Sequence, residues 1–411
     1  MSQKKKIYRV AIVGGMDHPI PAIHGGAIQT LVTALLDKNE DQGFFKFDVY
    51  TCADKMLNSL HYKKTTIYQI NHRKLFIQFW IGVYRLFRKL SGNILPYKNA
   101  FMLLVNLKLS RQKYDAIIYE TSDNEYLQVK RHDRERILFH VHADYLKNDS
   151  YGIERIVNNC DKFVAVSDFI KSRLQNITED ADKIVVLRNA VDVEQFQKLS
   201  SAQFRKSIRG KYGIKDDDFL LLYCSRLSPE KGCLELLKAV ESIPSCKLLI
   251  VGGENFDSND ITPYVQKLLK HAEKLQNRVI FTGYVAHEDV AKYMYAVDAA
   301  VVPSVCNEAC SLTLLEFMAC GLPTIASNTG GIPEFCNDST TIKVTLEKNF
   351  EENLRKAIIK ILDDVQLRTS MGSAARNLVE RFDYMNYYSH FCEMIDTLCG
   401  GNEDGNQSKE Q

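Results

Sequence analysis

Short apolar runs alternate with amphipathic segments along most of the chain. The runs are rich in Val, Ile, Leu and aromatic residues, which is typical of strands buried on both faces. Strands that alternate with helices predict parallel sheets built from β–α–β units. We predict strands at Tyr8–Val13, Lys46–Cys52, Thr66–Ile70, Ala116–Tyr119, Ile137–Val141, Phe163–Val166, Ile184–Leu187, Phe219–Cys224, Lys247–Val251, Val279–Phe281, Ala299–Val302 and Thr324–Ala326.

A polar, charged stretch at Arg188–Gly210 separates two series of strands. At 411 residues the chain exceeds the size of one ordinary core. We therefore predict two α/β domains, at residues 1–190 and 191–383. The tail at 400–411 is polar with few apolar side chains, so we expect it to be disordered.

The composition is that of a globular protein in water, with 45% apolar and 25% charged residues. No run approaches the roughly 18 apolar residues of a membrane-spanning helix. The first residues lead into a strand without the apolar core of a signal peptide. The 11 cysteines include no Cys-x-x-Cys pair, so we interpret them as small buried side chains. We expect a cytoplasmic protein.

The charge is unevenly distributed. Residues 55–113 contain 12 of the 53 Lys and Arg residues and no Asp or Glu, which leaves 41 basic against 51 acidic residues elsewhere. Within this segment, residues 72–89 have apolar side chains at steps of three and four and predict a basic amphipathic helix. Its candidates for contact with an anionic membrane surface are Arg73, Lys74, Trp80, Arg85, Arg88 and Lys89. The alternative is a surface helix packed on the core. Because no nucleic-acid motif accompanies the charge, we predict no nucleic-acid partner.

Two carboxylates stand out in the second half. A predicted strand leads into a loop that carries Glu308, and a predicted helix from Ser311 to Gly321 carries Glu316. Eight residues at helical rise place the two carboxylates about 10–12 Å apart. Paired carboxylates that act on one bond lie about 5–9.5 Å apart, so these two suit the ends of an elongated ligand. The free N–H groups of the helix start between them attract anions such as a diphosphate. The alternative is an ordinary amphipathic helix.

A basic motif follows the strand Phe219–Cys224, where residues 225–232 read Ser-Arg-Leu-Ser-Pro-Glu-Lys-Gly. Arg226 lies at the carboxyl end of the strand and Lys231 at the start of the next helix. Ligands of open α/β sheets bind at such strand ends. Arg can bind phosphate oxygens bidentately and Lys adds a point charge, so the pattern favours a phosphate site over a solvated loop.

These motifs resemble those of the retaining glycosyltransferases of family 4, which have the GT-B fold. The resemblance rests on Glu-x7-Glu before Ala-Cys-Gly-Leu-Pro, on Arg-x4-Lys-Gly, and on Asn-Ala-Val-Asp at 189–192, where Ala190 replaces the usual Gly. It implies two Rossmann-like parallel-sheet domains facing a cleft, the first for the acceptor and the second for the donor. It also implies that a last helix, at 384–399, crosses back to the first domain.

The resemblance assigns roles to individual residues. Glu308 would contact the donor sugar, Glu316 the ribose, and Arg226 and Lys231 the diphosphate. His142, which we prefer to His140, would lie near the reacting sugar. Further donor contacts would come from Gly25, Gly26, Gly253, Tyr284, Val285, Ala309, Cys310, Ser311 and Leu312. The catalytic candidates are Glu308, His142, Arg226 and Lys231.

The implied activity is transfer from a nucleoside-diphosphate sugar, foremost a UDP-hexose or UDP-N-acetylhexosamine, with retention of configuration. The acceptor would be lipid-linked or a saccharide, in cell-envelope polysaccharide synthesis at the inner face of the membrane. We expect no cofactor and no metal, and we interpret Asp216-Asp217-Asp218 as an acidic turn rather than a metal site. The alternatives are a nucleotide-sugar epimerase of the same fold and a non-catalytic nucleotide-sugar sensor.

Overall fold

A computed structural model describes residues 6–73, 77–79, 82–83, 86, 99–131, 135–197, 201–253 and 261–400. The chain forms two compact units, Met1–Arg188 with Met385–Gln411 and Asn189–Tyr384. The predicted tail, apart from Gly400, lies outside the described residues.

The first unit is built on a seven-stranded parallel sheet with the order β3-β2-β1-β4-β5-β6-β7. Strand order therefore reverses beside β1, which places a topological switch point between β1 and β4. Alternate residues of β1 face opposite sides, and both sides are buried. The strands are β1 Tyr8–Val13, β2 Phe45–Cys52, β3 Thr65–Ile70, β4 Ala116–Tyr119, β5 Arg136–Val141, β6 Lys162–Ala165 and β7 Ile184–Val186.

Helices connect these strands, and side-chain caps fix where several of them begin. Asn99 accepts a hydrogen bond from the N–H of Met102 at the start of one helix, and Ser167 does the same for Ile170 in another. Between the strands of this unit lie the α-helices Ala27–Gln42, Ala100–Leu109, Asp123–Tyr126, Ile153–Asn159 and Asp168–Leu174. Residues 77–79, 82–83 and 86 are also helical.

The last helix, Tyr384–Gly400, packs on this first sheet. The Tyr388 hydroxyl donates to Asn39 Oδ1 at 2.9 Å, and the ring of Phe391 meets that of Phe45 edge-on at 5.3 Å. These contacts join the end of the chain to its beginning, as the GT-B resemblance implies.

The second unit has a six-stranded parallel sheet with the order β10-β9-β8-β11-β12-β13. Its last strand is not among the predicted strands, because Thr340, Thr341 and Lys343 interrupt the apolar pattern there. It lies at the edge of the sheet, where polar side chains are tolerated. The strands are β8 Phe219–Cys224, β9 Cys246–Val251, β10 Val279–Phe281, β11 Ala299–Val302, β12 Thr324–Ser327 and β13 Thr341–Val344.

Helices cover both faces of this sheet. Leu220 and Leu222 belong to one buried apolar cluster, while Leu221 and Tyr223 belong to another. Helix Pro263–Ala272 is followed directly by a 3₁₀ segment, Glu273–Arg278. The α-helices are Val193–Gln197, Ser201–Lys211, Cys233–Glu241, Pro263–Ala272, His287–Met294, Leu312–Ala319, Phe350–Asp363 and Val365–Val379.

A fully buried guanidinium fastens helix Ser201–Lys211 to this core. Arg209 is 1% exposed, and its Nη2 lies 2.7 Å from Asp298 Oδ2. Its other nitrogens donate to the carbonyls of Ala296, Lys215 and Asp218. Every branch of the guanidinium therefore has a partner, as burial of a charge requires. In the acidic turn before β8, Asp218 also accepts from Lys247 Nζ and from the backbone N–H of Lys215.

Candidate functional site

Most of the predicted donor residues lie where the strands of the second sheet end. Arg226 follows β8, Gly253 follows β9, Tyr284 and Val285 follow β10, and Glu308 follows β11. Because these strands are neighbours and parallel, their carboxyl ends share one edge of the sheet. The loops are also tied together, since the N–H of Leu227 donates to the Gly253 carbonyl at 2.9 Å.

The two residues predicted to contact diphosphate and sugar form an ion pair. Lys231 Nζ lies 2.6 Å from Glu308 Oε1, and the Ser304 hydroxyl donates to the same oxygen at 2.6 Å. The side chains are 20% and 12% exposed, so the pair is screened less than a surface pair. An anion that binds Lys231 must compete with Glu308 for this ammonium group.

Arg226 is held more loosely. Its Nη2 lies 3.4 Å from Glu230 Oε1, and the side chain is 48% exposed. Glu230 also accepts from the Ser228 hydroxyl at 2.6 Å, a bond that lowers the pKa of the Glu230 carboxyl. Since exposed ion pairs are weak, the guanidinium can turn toward a ligand at little cost.

Two glycines allow other backbone segments to pack closely against the loop that follows β11 and carries Glu308. Gly232 has a φ of 72°, and a Cβ there would lie 1.8 Å from the Pro303 carbonyl oxygen. Gly330 has a φ of 55°, and a Cβ there would lie 2.2 Å from the carbonyl oxygen of Glu308. Both positions therefore require glycine, by conformation and by space.

Glu316 has a partner that the sequence did not indicate. His287 Nε2 lies 2.9 Å from Glu316 Oε1, and this hydrogen bond raises the pKa of the imidazole. Glu316 is 9% exposed, whereas half of the His287 side chain is exposed. The only sequence signal was a histidine at a helix start just beyond the predicted residues Tyr284 and Val285. His287 is placed to hold the Glu316 carboxylate in position.

The segment between the two glutamates is largely buried. Ala309 is 9% exposed, and the Ser311 hydroxyl caps the helix that begins at Leu312 by accepting from the N–H of Leu314. Burial raises the pKa of the Cys310 thiol, which agrees with a packing role for this residue.

In the first unit, two imidazoles meet one carboxylate at the adjacent ends of β4 and β5. Nε2 of His142 lies 2.6 Å from Glu120 Oε2, and Nδ1 of His140 lies 3.0 Å from the same carboxylate. The side chains are 8%, 2% and 3% exposed for His142, His140 and Glu120. One ring nitrogen of each histidine and one carboxylate oxygen, the atoms that could bind a metal ion, lie within 4.8 Å of one another. Because each imidazole directs a ring nitrogen at the carboxylate, we interpret the group as a hydrogen-bonded cluster.

Glu120 fixes the orientation of His142. Burial opposes ionisation of Glu120, but the two imidazoles outweigh it and lower the pKa of the carboxyl from 4.5 to about 2. Burial, followed by the neighbouring His140, lowers the pKa of His142. A neutral His142 that donates through Nε2 has Nδ1 as an acceptor. Glu120 is a positioning residue that sequence reasoning missed, because it lies 20 residues before His140.

We expect Glu120→Gln to be less stable than the wild type by about 3 kcal/mol at pH 7, because it removes a buried carboxylate that accepts hydrogen bonds from two imidazoles. The depressed folded-state pKa of Glu120 stabilises the protein fully above pH 4.5, and this contribution is lost as pH falls toward about 2. The stability gap between the two proteins should therefore narrow as the pH is lowered from 7 to 3.5. Urea unfolding across this range measures the gap, and a gap that stays constant contradicts the assignment.

The remaining predicted residues of the first unit lie in the loop after β1. Gly25 and Gly26 have φ values of 76° and 103°, and Gly26 is the N-cap of helix Ala27–Gln42. Of the membrane candidates, Arg73 is described; its side chain is 72% exposed and lies 3.6 Å from Asp17. Lys74, Trp80, Arg85, Arg88 and Lys89 lie outside the described residues. Among the helices in the described parts of the chain, none has the length and apolar character needed to cross a membrane.

Comparisons with known proteins agree with this architecture. The family model described as "Glycosyl transferases group 1" matches residues 204–378, and the model described as "Glycosyltransferase Family 4" matches residues 47–195. The protein YtcC of Bacillus subtilis (strain 168) is 25% identical over 92% of this chain and 89% of its own length. The lipopolysaccharide 1,2-N-acetylglucosaminetransferase of Salmonella typhimurium is 25% identical over 76% of this chain and 80% of its own length.

Among solved structures, Anabaena HepE in complex with UDP and glucose superposes with a TM-score of 0.71. It is 20% identical, and the match covers 95% of this chain and all of that one. A glycosyltransferase from Rickettsia africae has a TM-score of 0.75 at 20% identity, over 96% and 99% of the two chains. At 20% sequence identity, this structural similarity shows a shared fold and nothing further.

Proposed function

The chain belongs to the glycosyltransferases of family 4 and has their GT-B fold, and from this premise we propose a specific reaction. The enzyme moves a sugar from a nucleoside-diphosphate sugar to a lipid-linked or saccharide acceptor. The reaction retains the anomeric configuration and needs no metal ion. The acceptor belongs to cell-envelope polysaccharide synthesis.

The observation that carries this proposal is the cluster of Arg226, Lys231 and Glu308 at one edge of the second sheet. A leaving diphosphate gains negative charge as the glycosidic bond breaks. Fixed cationic groups and helix N–H groups stabilise such developing charge without a metal. Glu308, displaced from Lys231 by the diphosphate, becomes an acceptor for donor-sugar hydroxyls. Glu316 accepts hydrogen bonds from the ribose hydroxyls, and His287 holds the Glu316 carboxylate in position.

The proposed chemistry is a front-face displacement. The bond between the anomeric carbon and the diphosphate oxygen breaks, and an oxocarbenium-like state forms. The acceptor hydroxyl attacks from the face that the diphosphate leaves, and its proton passes to a leaving phosphate oxygen. We also propose that His142 accepts a hydrogen bond from a sugar hydroxyl through Nδ1.

The names of similar proteins support UDP and an envelope role. HepE was solved with UDP, UDP-glucose and glucose, and the Salmonella relative is a lipopolysaccharide N-acetylglucosaminetransferase. A Corynebacterium relative, 27% identical over 57% of this chain, is named a GDP-mannose-dependent mannosyltransferase, so GDP-mannose belongs in the test.

The test measures UDP or GDP release from UDP-glucose, UDP-N-acetylglucosamine and GDP-mannose in excess EDTA. We expect the enzyme to turn over at least one of these donors, and we expect the fastest turnover with a UDP-sugar. An epimerase would convert the sugar without net nucleotide release, and a sensor would bind the donor without turning it over. Activity that EDTA abolishes and Mn²⁺ restores would contradict metal independence.

We also propose that the basic segment at 55–113 holds the enzyme against anionic membrane surfaces. Each Lys or Arg near such a surface contributes about 1 kcal/mol, screened over a Debye length. We expect co-sedimentation with anionic but not neutral liposomes, weakening as salt rises. Changing Arg73, Lys74, Arg85, Arg88 and Lys89 to Ser should reduce recovery strongly.

The matched control for this test removes equal charge from the exposed surface of the second unit, by changing Lys267, Lys270, Lys274, Lys348 and Lys360 to Ser. This control should still sediment with anionic liposomes. Equal loss in both variants would mean that net charge, and not the segment, attracts the protein to membranes.

A further inference from the structure

The buried cluster of Glu120, His140 and His142 carries the donor atoms of a transition-metal site. Tyr119 of β4 pairs in register with Phe139 of β5, so Glu120 lies beside His140 on the neighbouring strand. Alternate side chains along a strand point to the same side, and both imidazoles contact Glu120. Two imidazoles from one chain segment and a carboxylate from the next therefore converge on one point.

The distances within the cluster fit a divalent ion after small shifts. Nε2 of His142 and Nδ1 of His140 lie 2.6 Å and 3.0 Å from Glu120 Oε2. Zn–N and Zn–O bonds of about 2.0–2.2 Å place two tetrahedral ligand atoms about 3.3 Å apart. Movements of less than about 1 Å at each side chain are therefore enough to admit one ion.

The types of ligand favour zinc and its neighbours in the transition series. Two imidazoles and one carboxylate form a known zinc ligand set that leaves one position for a further ligand. Mg²⁺ and Ca²⁺ prefer oxygen ligands, and Mn²⁺ is the weakest binder of the divalent series. Within the part of the chain that the structure describes, this is the one group of three or more His, Cys, Asp and Glu side chains with metal-binding spacing.

The second ring nitrogen of His140 limits how tightly an ion is held. Metal-bound histidines usually donate their other ring N–H to a carboxylate or a carbonyl. Nε2 of His140 is buried and has no hydrogen-bond partner among the described residues. When Nδ1 binds an ion, the proton of the neutral imidazole lies on Nε2 and stays unpaired. The cluster therefore suits reversible occupancy, set by the free metal concentration, and not a permanent structural ion.

We propose that this cluster binds one zinc-type divalent ion through Nδ1 of His140, Nε2 of His142 and the Glu120 carboxylate, and that the bound ion inhibits sugar transfer. The inhibition rests on the proposed function, in which His142 accepts a hydrogen bond through Nδ1. When Nε2 binds the ion, it gives up its proton, and the neutral imidazole carries a proton on Nδ1 instead. His142 then donates where the reaction needs an acceptor.

Isothermal titration calorimetry of the metal-free full chain with Zn²⁺ tests the binding. We expect one ion per chain, with Mg²⁺ and Mn²⁺ binding at least about tenfold more weakly. His140→Asn keeps an N–H donor for Glu120 but lacks the imidazole nitrogen. It should weaken zinc binding at least about 100-fold, because loss of a group that only orients a ligand already costs about 10–100-fold. Should this variant fail to fold, Glu120→Gln, which replaces the carboxylate with a poor metal ligand, should show the same loss.

His271→Ala is the matched control. Nε2 of His271 also lies beside a carboxylate, 3.1 Å from Glu241 Oε2, but outside the three-residue cluster. This variant should bind zinc as the wild type does. Co²⁺ in place of Zn²⁺ reports the ligand types, since thiolates add charge-transfer absorption that nitrogen and oxygen ligands do not. We expect a Co²⁺ spectrum without that absorption, which separates the cluster from the 11 cysteines.

Nucleotide release by the metal-free enzyme measures the inhibition. Saturating Zn²⁺ should suppress turnover by the wild type at least about tenfold, as loss of one hydrogen bond does, and EDTA should restore it. His271→Ala should be inhibited equally. His140→Asn should keep its own rate at the same zinc concentration, which excludes an effect of zinc on the donor diphosphate.

Four results would overturn the inference. They are the absence of zinc binding, equal zinc affinity in the wild type and the cluster variants, a Co²⁺ spectrum of thiolate type, and zinc binding that leaves turnover unchanged. Failure of the proposed function is separate, since it would appear as no nucleotide release from any donor with or without zinc. Calorimetry and the Co²⁺ spectrum test the metal site in that case as well.

Discussion

Replacing Lys231 by alanine is expected to reduce donor turnover by about 10²–10³, the usual effect of removing one group that stabilises developing charge. Lys231 is 20% exposed and lies 2.6 Å from Glu308, so its ammonium group acts where water screens it poorly. The stabilisation grows as the diphosphate leaves, and the loss should therefore appear in kcat. Steady-state kinetics of nucleotide release measures it.

Lys238→Ala is the matched control for this variant. Lys238 also pairs with a glutamate of the second unit, Glu351, at 2.6 Å, but its side chain is 40% exposed and lies on the helix surface. Its removal should leave turnover unchanged. Equal effects of Lys231→Ala and Lys238→Ala would refute the diphosphate assignment.

Glu316→Ala should behave differently from Lys231→Ala. Ribose contacts change little between the bound donor and the transition state, so their loss weakens binding and raises KM more than it lowers kcat. If Glu316→Ala abolished turnover with unchanged donor affinity while Lys231→Ala had no effect, the two roles would be wrongly assigned.

Replacing Arg209 by alanine is expected to destabilise the second unit by about 3–5 kcal/mol, the cost of breaking a buried ion pair. The variant leaves Asp298 without one of its two guanidinium partners and removes the hydrogen bonds that Arg209 donates to three backbone carbonyls. Amide hydrogen exchange of β8 and β11 reports the opening free energy of this unit.

Arg355→Ala is the control for Arg209→Ala. Arg355 forms an ion pair with Glu352 one turn away on a helix surface, where such pairs contribute at most about 1 kcal/mol. A loss of less than 1 kcal/mol in Arg209→Ala, or an equal loss in both variants, would contradict the role given to the buried guanidinium.

Much of the fold could be predicted because parallel strands buried on both faces leave long apolar runs. The interiors of β8 and β11 are apolar throughout and were predicted with the bounds that the structure shows. The edge strand Thr341–Val344 was missed because Thr341 and Lys343 interrupt its apolar pattern, and a strand at the edge of a sheet pairs with one neighbour only. Local pattern therefore predicted the centre of the sheet better than its edge.

The motifs proposed to bind the donor can be recognised in the sequence because each lies in one short stretch, as Arg226 and Lys231 do. The partners of these residues cannot. His287 is 29 residues from Glu316, and Glu120 is 22 residues from His142. Only the folded chain brings each pair together, as Glu120 and His142 meet at the adjacent ends of β4 and β5. A motif search finds residues that are close together in the sequence and overlooks the distant residues that orient them.

The most direct test of the account is the configuration of the product formed in excess EDTA. The preferred nucleotide sugar and a methyl glycoside are incubated with the enzyme, and proton NMR reads the new anomeric centre. We expect a product with the anomeric configuration of the donor, formed as fast as without EDTA. An inverted product, or transfer that requires Mn²⁺, would contradict it.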